Sequence, residues 1–265
     1  MLRGCAGHAP RITNDWPASC APISAGCRES AESSGSDGES PGRHHGHHNA
    51  RGSNMSSSII AASATIADDA VLGEFCVIGE NVQIGAGCVI GHRVVIHDDV
   101  RIGDNVRIDG GTVIGKLPMR AANSAVTKDQ QLPPTRIGVN GIIGANVIIY
   151  RGCTLGEKVL VADLSTVREN VSVGDFTIVG RGVAIENYCT VGRYVKLETN
   201  VYLTAYSEVE DRCFLAPNVA TSNDNYIGRT EERFKHFKGV IMRRGARIGV
   251  NATILPGLTI GPDAL

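Results

Sequence analysis

The sequence predicts an all-β solenoid, a three-sided parallel β-helix of about nine coils with two loop excursions, behind a disordered N-terminal segment. Three observations carry that reading. From Ile60 an aliphatic residue falls on every sixth position, through Ile66, Leu72 and Ile78 to Ile114, again from Ile137 to Leu215, and again from Met242 to Ile260. Leaving out Ile114, whose hexad runs into a break in the repeat, these positions open 27 complete hexads, and in 26 of them the residue four places on is Ala, Val, Cys, Ser, Thr or Gly, Leu258 being the exception. The fourth position is Gly, Asn or Asp in 17 of the 27, the types that best tolerate the positive φ of a tight corner.

Six is not a helical period, whereas two inward positions in every six suit short strands bent at corners. Three such sides make a coil of 18 residues, and nine coils at ~4.8 Å spacing stand roughly 43 Å tall. The large aliphatic fills the prism and the small residue sits near its corner. Cys76, Cys88, Cys153, Cys189 and Cys213 all occupy that small position and read as buried free thiols. Unpaired thiols suit a reducing, cytoplasmic setting.

Residues 1–54 differ in kind: Leu2, Ile12, Trp16 and Ile23 are nearly their only bulky apolar side chains. Such a segment buries too little surface to offset its chain entropy, so it is expected to be a disordered and dispensable extension ahead of a 55–265 domain. Lys and Arg total 26 against 27 Asp and Glu, which argues against a nucleic-acid binder. No apolar run approaches the ~20 residues of a membrane span.

The sixth residue of each hexad points outward and every third hexad shares a side. Ile142, Leu160, Ile178, Lys196 and Phe214 therefore form one column, more apolar than a soluble monomer usually exposes, which reads as a subunit interface. Thr154, Ser172, Thr190 and Glu208 form an ordinary wet column.

The hexads of the form Ile78-Gly79 through Gln83 resemble those of the hexapeptide-repeat acyltransferases. The resemblance implies a left-handed β-helix, which the general crossover rule would not anticipate. It also implies a homotrimer that transfers an acyl group from acetyl-CoA, with no metal required. The segment 221–226 and the coil Ile248 to Gly257 look like those of the nucleotide-linked amino-sugar N-acetyltransferases, making such a sugar the expected acceptor. By the same resemblance the pantetheine arm lies along Gly249, Ala252 and Gly257, with Arg247 near the phosphates. Further coils and a cap are expected beyond Leu265.

The repeat breaks at 116–136 and 221–241, and long excursions from a rigid scaffold are where function concentrates. The first carries Arg120, Asn123 and Lys128, whose two cations suit phosphates, with a solvated loop of scattered charge as the alternative. The second carries Asn223, Asp224 and Asn225, hydrogen-bonding groups for an acceptor that equally serve as turn formers. Its stretch Arg229 to Phe237 suits a helical turn pairing Glu232 with His236. His236, the single histidine of either excursion, is the expected general base, with a surface loop residue as the alternative.

Two rival readings stand beside this one. His92 and His97 are spaced like the zinc-ligand pair of γ-class carbonic anhydrases, yet no third histidine lies one coil away. The prism is also open to use as a non-enzymatic scaffold, since fold alone does not prove function.

Overall fold

The computed structural model describes residues 57–122 and 130–265. The expected N-terminal extension, with Cys5, Cys20, Cys27 and the 44–48 histidine cluster, lies outside the described residues, as do Asn123 and Lys128. The described chain forms 29 short strands in three parallel sheets of ten, ten and nine strands. Every strand pairs with the one three places on, so each face of the prism is one sheet and each coil spends one strand on each face.

Two strands were not counted among the 27 hexads. Val113–Lys116 contains Ile114, whose hexad runs straight into the first excursion, and Ala220–Thr221 has a polar residue where the pattern calls for an aliphatic. The helix is therefore ten levels tall on two faces rather than nine. The excursions correspondingly shrink to 117–135 and 222–240. Thr221 is tolerated in the core because its hydroxyl is satisfied, accepting from Thr204 N–H (2.8 Å) and donating to the Tyr202 carbonyl (3.1 Å).

Register keeps like above like. On the first face Ile78, Ile96, Ile114, Ile149, Val167, Ile185 and Leu203 stack in one buried column. The small residues near the corners do more than fill space. Cys153 Sγ donates to the Arg168 carbonyl (2.9 Å), and Ser165 and Thr177 make the same bond to Gly180 and Gly192 (both 2.8 Å). Cys, Ser and Thr interchange there because each small donor reaches the same carbonyl of the next coil. Burial pushes the Cys153 and Cys189 thiols up to about 12, with weaker opposition from backbone hydrogen bonds.

Corners at Asn81, Asn105, Asn146, Asn170 and Asn251 have positive φ, as the pattern predicts. The same backbone is imposed on residues that resist it: Phe75, Leu164, Phe176, Tyr188, Tyr194 and Tyr206 all lie at φ 57–65°. Stacking offsets that strain at four of them. Phe176 and Tyr194 are parallel with centroids 4.9 Å apart, and Tyr188 and Tyr206 are parallel at 5.3 Å. Lys158 and Arg212 close the first stack from either end, 5.1 and 4.9 Å from the ring centres.

Candidate active site

Both excursions leave from the same face. The strands Val113–Lys116 and Ala220–Thr221 belong to one sheet, and four levels lie between them. Along those levels the hexad's second position, glycine in most other coils, holds Tyr150, Arg168, Glu186 and Thr204, each 18 residues from the last. A polar ladder thus spans the gap between the two points where the chain departs.

The ladder is tightly wired. Lys116 Nζ donates to the Tyr150 hydroxyl (3.4 Å) and sits 4.7 Å from the ring centre, with the Arg168 guanidinium 5.1 Å from that ring. Arg168 grips Glu169 with two bonds, at 2.8 and 2.9 Å, and reaches Glu186 at 3.2 Å. Glu169 is 1% exposed, whereas Glu186 opens on a cleft of about 200 Å³. Tyr202, Thr204, Ala205, Asn223, Asp224, Arg233 and Phe237 complete the cleft. Burial pushes the Glu186 carboxyl above its ordinary 4.5, opposed by Arg168 and reinforced by Glu169. Burial likewise raises the Tyr202 hydroxyl, with Glu186 adding to it.

The second excursion forms the other wall. Asp224 accepts from the backbone N–H of Tyr226 (2.8 Å) and Gly228 (3.0 Å) and pairs with Arg233 at 3.2 Å. Burial pushes the Asp224 carboxyl upward, but these three donors outweigh it and hold it below its usual value. Its carboxylate is therefore occupied in building the turn. Gly239 closes the excursion where a Cβ would collide with the Tyr206 and Ser207 backbone, so only glycine allows the return.

The expected site residues do not all meet. Asn223 and Asp224 line the cleft; Asn225 faces a separate hollow with Tyr226, Ile227 and Arg229. The expected turn forms over Glu231–Lys235, and His236 Nε2 lies 3.1 Å from Glu232 Oε1. His236 is half exposed and leans toward Tyr226; its neighbour Phe237 enters the cleft instead. Arg120 is exposed at the start of the first excursion and is not among the cleft residues. Gly249, Gly257 and Arg247 are exposed on the last coils with Ala252 half-buried, and an added Cβ at Gly249 would meet nothing within 4 Å. Arg247 lines two basic hollows, one with Lys196 and Arg212 and one with Arg212 and Arg244. His92 and His97 are exposed, and His92 Nδ1 accepts the Glu74 N–H at 2.9 Å. Among the described residues no three His, Cys, Asp or Glu side chains converge as a metal site would require. No described helix is long and apolar enough to cross a membrane.

Sequence reasoning missed Arg168, Glu169, Glu186 and Tyr202. A signal was present: bulky polar residues replace glycine at 150, 168 and 186 with a period of one coil.

Comparison with protein families bears on the scaffold. The family described as bacterial transferase hexapeptide (six repeats) matches residues 81–116, and the hexapeptide repeat of succinyl-transferase matches 134–162. Hexapeptide repeats are thus recognised in both segments, and the fold is a left-handed parallel β-helix. The resemblance to the hexapeptide-repeat acyltransferase superfamily thereby holds. No curated protein matches this hexapeptide-repeat sequence. Among solved structures it is similar to LpxA from Acinetobacter baumannii, at 23% identity and TM-score 0.51 over 62% of this chain and 65% of that one. The chain thus spans just under two thirds of that relative's length. A UDP-N-acetylglucosamine acyltransferase from Arabidopsis aligns at 17% identity and TM-score 0.61, over 78% of this chain and 68% of the other. A further UDP-N-acetylglucosamine acyltransferase aligns at 19% identity and TM-score 0.56, over 76% and 70%. At these identities the likeness is one of fold.

Proposed function

We propose that this protein moves an acetyl group from the thioester of acetyl-CoA to the amine of a nucleotide-linked sugar, acting as a homotrimer. One observation carries the reading: a polar cleft opens where the second excursion leaves a hexapeptide-repeat scaffold, with Glu186, Tyr202 and Asn223 on its walls. The names of the Arabidopsis neighbour and its relatives, acyltransferases of a nucleotide-linked sugar, support a nucleotide-linked sugar as the acceptor.

Acyl transfer needs an oriented nucleophile and donors for a developing oxyanion. Asn223 is assigned to orient the acceptor, its side chain amide supplying both a donor and an acceptor. Asp224 acts on the same substrate indirectly, by holding the wall. Arg120 and Asn225 are assigned to the nucleotide. The acyl donor is assigned to the last coils beside Gly249, Ala252 and Gly257. Arg247, with Arg212 and Arg244 around a hollow of about 450 Å³, offers guanidinium groups to its phosphates. The column Ile142, Leu160, Ile178, Lys196 and Phe214, paired strand to strand, is assigned to the trimer interface.

Free-thiol release from acetyl-CoA, measured across UDP- and GDP-linked amino sugars, tests the reading. Turnover with at least one acceptor is expected. No turnover, together with no thermal stabilisation by any acyl-CoA, would overturn it in favour of a scaffold.

A further inference from the structure

Among the described residues, two carboxylates on the cleft side of the prism have one guanidinium between them. Arg168 makes two bonds to Glu169 and reaches Glu186 at 3.2 Å. Taken together the three groups carry one net negative charge. Glu169 is sealed in the wall, so that charge is presented by Glu186, the one member of the three that lines the cleft. On the opposite wall Asp224 is matched by Arg233 and adds no free charge. Tyr202, Thr204 and Asn223 give the cleft a neutral polar lining, and Ala205 and Phe237 narrow it with apolar surface. A half-buried carboxylate in such a cleft attracts a cation, whereas a hydroxyl acceptor would gain only a hydrogen bond from it.

We propose that Glu186 receives the acceptor's amine and takes the proton from its nitrogen during attack on the thioester, so that the acceptor is an amine rather than an alcohol. This rests on the acyltransferase reading above and names the residue and substrate class within it. The ammonium gives one proton to solvent and leaves a neutral amine held at Glu186. Its lone pair attacks the thioester carbonyl; the N–C bond forms and the C–S bond breaks with its electrons on the CoA sulfur. The nitrogen's second proton passes to the Glu186 carboxylate and from there to the departing thiolate, so the glutamate ends as it began.

The surroundings suit that task. Burial raises the Glu186 carboxyl against the pull of Arg168, making it a stronger base than an exposed glutamate. The groups facing it are Arg168 and Glu169 from the preceding strand's corner, Tyr202 from the next strand, and Asp224 and Arg233 from the excursion. Arg168 is a positioning residue: it fixes the carboxylate and is itself held by Glu169 and the Tyr150 ring.

The test is steady-state turnover of the full chain and of Glu186→Gln, Glu186→Asp and the remote control Glu157→Gln, with acetyl-CoA and UDP-glucosamine followed by other UDP- and GDP-linked amino sugars. Glu186→Gln is expected to lower kcat on the order of 100-fold with the KM for acetyl-CoA unchanged, and to erase the acidic limb of the kcat–pH profile. Glu186→Asp should keep part of the rate, and Glu157→Gln should leave it unchanged. If the unaltered protein turns over while Glu186→Gln keeps more than about a third of its kcat, the Glu186 assignment is wrong and the acyltransferase reading stands. Faster turnover of the matching hydroxyl sugars than of the amines overturns the amine assignment. No thiol release from the unaltered protein with any acceptor brings down both.

Discussion

The Arg168 guanidinium meets the Glu169 carboxylate edge to edge, Nε to Oε2 at 2.8 Å and Nη2 to Oε1 at 2.9 Å, where the glutamate is 1% exposed. A buried charge of this kind survives because its partner is present. Arg168→Met strands the Glu169 carboxylate in the wall and is expected to cost about 3–5 kcal/mol in urea unfolding. Replacing both residues, Arg168→Met with Glu169→Leu, should recover most of it. Equal losses in the single and double variants would show that packing, rather than charge, sets the cost.

The thiol shifts make stability fall at high pH. Cys153 and Cys189 are raised from 9.0 to about 12 by burial, so above pH 9 the unfolded chain loses protons that the folded one keeps. Their contribution is complete below pH 9 and is lost as pH climbs toward 12. Melting temperature is expected to drop across that window, and Cys153→Ser with Cys189→Ser should flatten the drop. Native alkylation at pH 8, mapped by mass spectrometry, should leave both thiols unmodified.

Aromatic corners give a test of backbone strain. Tyr194 has φ 57° and stacks on Phe176. Tyr194→Asn exchanges a stack worth about 0.5–1.5 kcal/mol for about 1–2 kcal/mol of relieved strain, so its melting temperature should change little. Tyr194→Val loses the stack and puts a β-branched residue into left-handed backbone, and should melt several degrees lower.

Gly239 is where the second excursion rejoins the prism against Tyr206 and Ser207. Gly239→Ala forces that junction apart, at about 1–3 kcal/mol. Because Lys238 N–H donates to the Asn223 carbonyl at 3.3 Å, the displacement reaches the cleft wall. The KM for the acceptor should rise more than that for acetyl-CoA, and unchanged constants would detach this junction from the site.

His236→Ala separates two candidates for the proton. The imidazole is half exposed beside Glu232 and outside the cleft, so turnover should stay within about threefold if Glu186 accepts the proton. A loss on the order of 100-fold at unchanged KM would return the histidine to the reaction.

Much of this architecture was legible in the chain. The period of six, the small corner residues and the buried cysteines are local properties repeated along the sequence, and Ile142, Leu160, Ile178, Lys196 and Phe214 align as one 18-residue period requires. The turn pairing Glu232 with His236 was also readable, since four residues of helix bring them together. Thr221 escaped because a polar residue at an aliphatic position reads as the end of the repeat until its two hydrogen bonds are seen.

By itself the sequence determined the prism: aliphatics six apart can all be buried only if the chain turns a corner every six residues. Only the tertiary structure decided where chemistry is available. Tyr150, Arg168, Glu186 and Thr204 lie 18 residues apart and become neighbours through strand pairing across coils, between two excursions that leave the same face. Depth then separates two otherwise similar acids. Glu169 is sealed and neutralised by Arg168, while Glu186, one coil later, shares that cation and faces the cleft. That difference is one of burial and distance, which residue type and spacing do not carry.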